Sequence, residues 1–179
     1  MALVRARGDR GLAGNDLSGG YRRDAGGDGS GLFVNALSRK TRLKRFIELV
    51  WNEGKLDAAD GYLAGAYTVV HDPGDPWEGM TLDPAGFKDR VRLSRAAFPD
   101  QQFDVQEMLA DGGGVAMTWL WAGTHVGDLP GFPATGKPIH MSGATIYFFD
   151  DADRLTGHWQ ITDRLGVYQQ LQRNLTASR

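Results

Sequence analysis

Three residues in this sequence carry side chains suited to moving a proton near neutral pH and stand where strands are expected to deliver them: His71, His125 and Asp163. Imidazole titrates near neutrality, and an apolar wall can move a carboxylate toward it. Two imidazoles and a carboxylate among indoles therefore suit proton transfer on an apolar aromatic substrate. Strand alternation places Val115, Met117, Trp119, Trp121, Gly123 and His125 on one face of their segment, and Tyr67, Val69 and His71 on one face of another. Along Leu155 to Ile161 it groups Leu155, Gly157, Trp159 and Ile161 against Thr156, His158 and Gln160. Taking the tryptophan face as interior gathers His71, His125, Trp119 and Trp159 and turns His158 and His140 away, unless a bulge breaks the alternation. Each residue also has a purely structural reading: the indoles as core, His71 as a loop closure beside Pro73, and Asp163 as a helix N-cap.

Other chemistries find less support. With no cysteine there is no thiolate nucleophile, disulfide or Cys-ligated metal. The run G-F-P-A-T-G-K-P, Gly131 to Pro138, approaches a phosphate loop, but Pro138 takes the hydroxyl position and a strand follows where a helix should begin. His71, Asp72 and His125 include a metal-binding type of set, yet neighbours in a strand point to opposite faces. No metal and no cofactor are expected. A net charge of -2 supplies no field for nucleic acid or an anionic membrane. No apolar run reaches the roughly 18 residues of a membrane span, and the N-terminus lacks a signal-peptide core, so a cytoplasmic protein is expected.

The elements that must position these residues follow from periodicity. Residues 1–36 hold glycines scattered among Arg and Asp, and are expected to be a disordered leader whose G-G-D-G-S-G is no nucleotide loop. A folded domain is expected over 37–173 and a disordered tail over 174–179. From an N-cap at Ser38, Leu43, Phe46, Ile47, Val50 and Trp51 recur at helical spacing to a stop at Gly54, with Arg39, Lys40, Arg42, Lys44 and Arg45 on a solvated face. A short helix over Ala58 to Leu63 and a strand Y-T-V-V-H-D-P come next. Asp83 and Pro84 then start a helix turning Phe87, Val91 and Ala97 inward. Two hairpins supply four long antiparallel strands, and a last helix begins near Asp163. The expected class is α+β, with helices against one face of a twisted sheet.

Two stretches carry a family resemblance. A-G-T-H-V-G-D-L-P-G-F-P-A-T-G-K, Ala122 to Lys137, and H-W-Q-I-T-D-R-L-G-V-Y-Q-Q-L, His158 to Leu171, resemble the SnoaL-like polyketide cyclases, as do W-N-E-G and H-D-P. The resemblance spans about Ser38 to Leu171. It implies a cone-shaped α+β barrel of the nuclear transport factor 2 type, with a curved antiparallel sheet and N-terminal helices enclosing a hydrophobic pocket, commonly in a homodimer or other homo-oligomer. Activities in the family include cofactor-independent aldol ring closure of polyketide esters, pyran formation and participation in anthracycline hydroxylation. In the ring-closing members an aspartate on the last strand acts as acid/base, aided by a histidine on the preceding strand. Gln160 and Thr145 occupy those positions here, and an amide cannot exchange a proton near neutrality.

The expected function is acid/base tailoring, of cyclisation or isomerisation type, of an apolar polyketide-like small molecule. His125 and Asp163 would move protons with His71 assisting. Trp51, Trp119, Trp121, Met141 and Trp159 would line the substrate, and Gln160 would reach a carbonyl. The alternatives are a hydroxylation-associated protein, with a reductase as partner, and a non-catalytic ligand-binding or dimerisation domain.

Overall fold

Leu43, Phe46, Ile47, Val50 and Trp51 form the buried stripe of the first helical stretch. The computed structural model describes residues 29–177, so most of the expected leader lies outside the described residues. Helix α1 covers Gly29–Phe46 and runs on as a π turn over Ile47–Asn52. It starts well before the expected cap at Ser38, since no proline interrupts the preceding residues and extending the helix satisfies the backbone donors without a side-chain cap. Arg39 departs from the expected solvated face. It is buried, and its guanidinium donates to Asp153 and to the carbonyls of Gly112 and Asp150, clamping α1 to two strand turns.

A 3₁₀ turn, Leu56–Gly61, leads into β1, Leu63–His71. A two-residue strand unforeseen in the sequence, β2 (Thr81–Leu82), precedes α2, Pro84–Ala97. As expected, Asp83 caps α2 by accepting from the Gly86 N–H at 2.7 Å, and Phe87, Val91 and Ala97 point inward. Strands β3 (Gln102–Asp111), β4 (Gly114–Thr124), β5 (Pro138–Phe149) and β6 (Leu155–Thr162) follow, and α3 (Arg164–Thr176) ends past the expected boundary at 173. The sheet order is β2-β1-β6-β5-β4-β3, antiparallel except where β1 runs parallel to β6. The result is the expected α+β architecture, with a curved sheet that does not close on itself.

On β4 the expected alternation holds, with Val115, Met117, Trp119, Trp121 and Gly123 all buried. On β6 it fails. Phe149 pairs with Leu155, Phe148 with Gly157 and Tyr147 with His158, so β6 has one extra residue around Thr156. This bulge lets Leu155 and His158 both face the core, three positions apart. Gln160 follows His158 inward, while Trp159 is turned out. A second irregularity in β1, where Val69 matches His158 but His71 matches Trp159, turns His71 outward and buries Asp72.

Gly157 is what the crowding of β1 against β6 requires. A Cβ there would stand 2.4 Å from the backbone oxygen of Thr68, an atom that no rotamer change can move. Gly157→Ala should therefore lower stability by about 3 kcal/mol, the upper end of overpacking costs. Urea denaturation reads this directly, and a midpoint equal to the parent's would refute the tight approach.

Candidate active site

Between the concave sheet face and the helices lies a cavity of about 470 Å³. Trp51, Phe98, Phe103, Trp121, Met141 and Tyr147 supply much of its apolar wall, and the segments Asp75–Trp77 and Leu129–Pro130 also line it. The size and lining suit a drug-sized apolar ligand fixed by a few polar groups.

Those polar groups converge on Asp72, whose side chain is 1% exposed. Its Oδ1 accepts from Arg164 at 2.7 Å, and its Oδ2 accepts from Arg90 at 3.1 Å and from the Gln160 amide at 3.0 Å. Arg90 is itself buried and also donates to Asp75 at 2.8 Å. Burial pushes the Asp72 carboxyl upward, but neighbouring His158, Arg164 and Arg90 outweigh it and hold the group at about 2. Asp72 is thus a permanent carboxylate.

Gln160 is fixed by a directional chain. The Trp119 indole can only donate, and it gives its N–H to Thr145 Oγ1 at 2.8 Å, so the threonine proton passes to Gln160 Oε1 at 2.6 Å. That leaves the amide nitrogen for Asp72. Thr145 and Gln160 therefore form one bonded pair, and the Gln160 oxygen is committed to the protein.

His158 stands beside this network, 2% exposed. Its Nδ1 lies 2.8 Å from the Tyr67 hydroxyl, and its Nε2 has no hydrogen-bond partner among the described residues and lies 3.8 Å from Asp72 Oδ2. That separation is longer than a formed hydrogen bond. Burial, assisted by the Arg90 charge, lowers the imidazole pKa against the upward pull of Asp72 and so favours the neutral ring. Burial also raises the Tyr67 and Tyr147 hydroxyls, and both remain phenols.

The residues expected to do chemistry are placed differently. His71 lies outside the cavity, stacked on Trp159 with ring centroids 5.0 Å apart and with Nδ1 3.3 Å from Glu78. His125 is fully buried but does not line the cavity; its ring stacks on Phe98 and its backbone carbonyl accepts from Thr135 and Gly136. Asp163 caps α3 by accepting from the Gly166 N–H at 2.8 Å and borders an open depression with Gln102, His140 and Gln170. Of the expected substrate-lining residues, Trp51, Trp121, Met141 and Gln160 line the cavity, Trp119 is buried behind the wall, and Trp159 is on the other face.

Sequence reasoning passed over Arg90, Arg164 and Tyr67, weighed Asp72 only as a metal ligand, and turned His158 away from the pocket. One signal was available: Arg90 sits three residues after Phe87 and seven before Ala97, a cation within the inward stripe of α2. A charge at such a position must be paired.

A curved sheet backed by helices, around a ligand-sized apolar cavity with a buried charged cluster, defines the pocket proteins of the nuclear transport factor 2-like fold. The family model described as SnoaL-like polyketide cyclase matches residues 41–171, and the chain belongs to that family. The solved structure of a candidate polyketide cyclase from Acidithiobacillus ferrooxidans is 63% identical, with a TM-score of 0.73 over 76% of this chain and 95% of that one. IdmH, a candidate polyketide cyclase from Streptomyces antibioticus, is 26% identical, with a TM-score of 0.64 over 75% and 98%. AclR, a candidate hydroxylase from Streptomyces galilaeus, is 19% identical, with a TM-score of 0.63 over 77% and 87%, and shares the fold. No curated protein matches the chain. Among the described residues no helix is long and apolar enough to cross a membrane.

Proposed function

We propose that the protein is an acid/base enzyme that cyclises or isomerises an apolar, carbonyl-bearing polyketide-like molecule, with His158 as the proton-transfer group. The observation that carries this reading is the unpartnered Nε2 of a buried, neutral imidazole beside a permanent carboxylate in the wall of the cavity. The working tautomer carries its proton on Nδ1, which donates to Tyr67; Nε2 then holds a free lone pair and takes a proton from a carbon next to a carbonyl. The resulting enolate attacks a second carbonyl of the same molecule, a carbon–carbon bond forms, and the imidazolium returns the proton to the new alkoxide. In an isomerisation the proton returns to a different carbon. Asp72 stabilises the imidazolium, and the indoles and phenylalanines keep water from the enolate.

Incubation with an aromatic poly-β-keto ester tests this, with ring-closed product read by chromatography and proton NMR. Protein-dependent product with an acid limb below neutrality is expected. Binding without product or α-carbon deuterium exchange, across about pH 5 to 9, would establish the binding-only alternative instead.

The protein acts as a homodimer in this reading. The outer sheet face exposes Leu120, Ile146 and Ile161 beside Trp159, with no Asp, Glu, Lys or Arg on the outward positions of β5 and β6 between them. Such a face is self-complementary, and monomers seldom leave one uncovered. Sedimentation at micromolar concentration should give twice the chain mass; a monomer there would overturn the dimer.

A further inference from the structure

Two phenols flank His158, and only one of them is committed. The Tyr67 hydroxyl lies 2.8 Å from Nδ1, with the two ring centroids 5.6 Å apart. The Tyr147 ring centroid lies 5.9 Å from the imidazole, and the Tyr147 hydroxyl has no hydrogen-bond partner among the described residues. That oxygen is not sealed in. Among the described residues the sealed side-chain atoms without a partner are all nitrogens, of Arg42, Trp51, Arg90, His125 and His158. Tyr147 is 6% exposed overall and lines the cavity, so the surface its hydroxyl keeps opens there.

The sheet fixes where this hydroxyl stands. Tyr147 is the direct partner of His158 in the β5–β6 ladder and of Val115 in the β4–β5 ladder. Directly opposed residues share a face, so Tyr147 and His158 both project into the concave side. Phe46 meets the Tyr147 ring edge-on at 6.4 Å and holds it against α1. The group also remains a donor: burial raises its pKa, and nearby Asp72 adds to the rise against the opposing pull of Arg90. A phenol so placed gives a hydrogen bond and keeps its proton.

We propose that the Tyr147 hydroxyl is a specificity-determining donor of the cavity, which holds one oxygen of the ligand and so orients the ligand against His158. This rests on the acid/base reading and names the residue that positions the ligand for it. The two rings are close enough for one small molecule to touch both. In a largely apolar wall a single directed donor discriminates strongly. A ligand with an acceptor satisfies it, whereas one without leaves the phenol unpaired and away from water. Tyr67 cannot share this role, because its hydroxyl is spent on His158.

The test compares two probes of one shape, 2-acetylnaphthalene and 2-isopropenylnaphthalene, in which a methylene replaces the carbonyl oxygen. Equilibrium dialysis with the full-length protein gives both affinities, and infrared difference spectra give the carbonyl stretch of the bound ketone. The parent should hold the ketone about tenfold more tightly than the alkene, with the carbonyl band moved to lower wavenumber. Tyr147→Phe keeps the ring and removes only the hydroxyl. It should bind both probes alike, with the alkene affinity unchanged and the band shift lost; Tyr67→Phe should keep the preference. Thermal denaturation reports that each variant is folded. A parent that binds neither probe or shows no preference overturns the proposal, as does a Tyr147→Phe variant with the parental preference and band. The readout needs no turnover, so the two readings fail separately. His158→Gln with full activity would remove the proton-transfer group and leave the ketone preference standing; loss of that preference alone would remove only the donor.

Discussion

Replacing His158 by glutamine lowers kcat at least about a hundredfold, the scale of a lost general acid/base, while the protein stays folded. Glutamine can keep a polar group near the Tyr67 hydroxyl, 2.8 Å from Nδ1 in the parent, but it cannot take a proton near neutrality. The parent's kcat/KM should rise with pH to a plateau near neutrality, because only the neutral imidazole accepts a proton. Its midpoint should fall below the ordinary 6.5, since burial lowers this group. The glutamine variant should lose that limb. Steady-state rates across the acid range measure both effects, and a variant with parental kcat would remove His158 from the chemistry. The same shift affects stability: a native imidazole harder to protonate than the unfolded one leaves stability complete above 6.5 and erodes it as pH falls toward the folded value.

Asp72→Ala should cost about 3 kcal/mol or more in urea denaturation, in the range found when one partner of a buried ion pair is removed. The substitution leaves Arg90 with Asp75 alone, leaves Arg164 only its 4.0 Å approach to Asp75, and strands the Gln160 amide in an apolar wall. Asp72→Asn, which keeps the shape and one acceptor, should cost less. Linkage gives a second signature. The carboxyl has an unfolded value of 3.8 and a folded value of about 2, so its contribution is full above 3.8 and disappears as pH falls through that interval to 2. In both variants that part of the acid transition should flatten. Asp72→Ala protein within about 1 kcal/mol of the parent would show that the network is not a fold-organising one.

These two residues show how far the sequence could be read. Periodicity located the helix carrying Phe87, Val91 and Ala97, its Asp83 cap and the inward face of β4, because each depends on a repeat or contact within one element. The family motifs were also legible, and they led to the fold. Position in a motif did not reveal position in space: His125 and Asp163 carry the match, yet one packs on Phe98 and the other caps α3. The parity of β6 turned on one extra residue near Thr156, and that of β1 on a matching irregularity before His71. A bulge leaves little trace in hydrophobic alternation, particularly in a strand where tryptophan looks like the obvious interior residue.

By itself, the sequence determined the α+β class, the family and the placement of most elements, since local periodicity and short-range turns encode them. Only the tertiary structure decided that Asp72, His158 and Gln160 face the cavity while His71 and Trp159 do not. The reason is that strand register is settled by pairing with neighbours distant in the chain. The network confirms the dependence: Gln160 reaches Asp72 across 88 positions and Arg164 reaches it across 92, so the site forms only when β1 and β6 lie side by side.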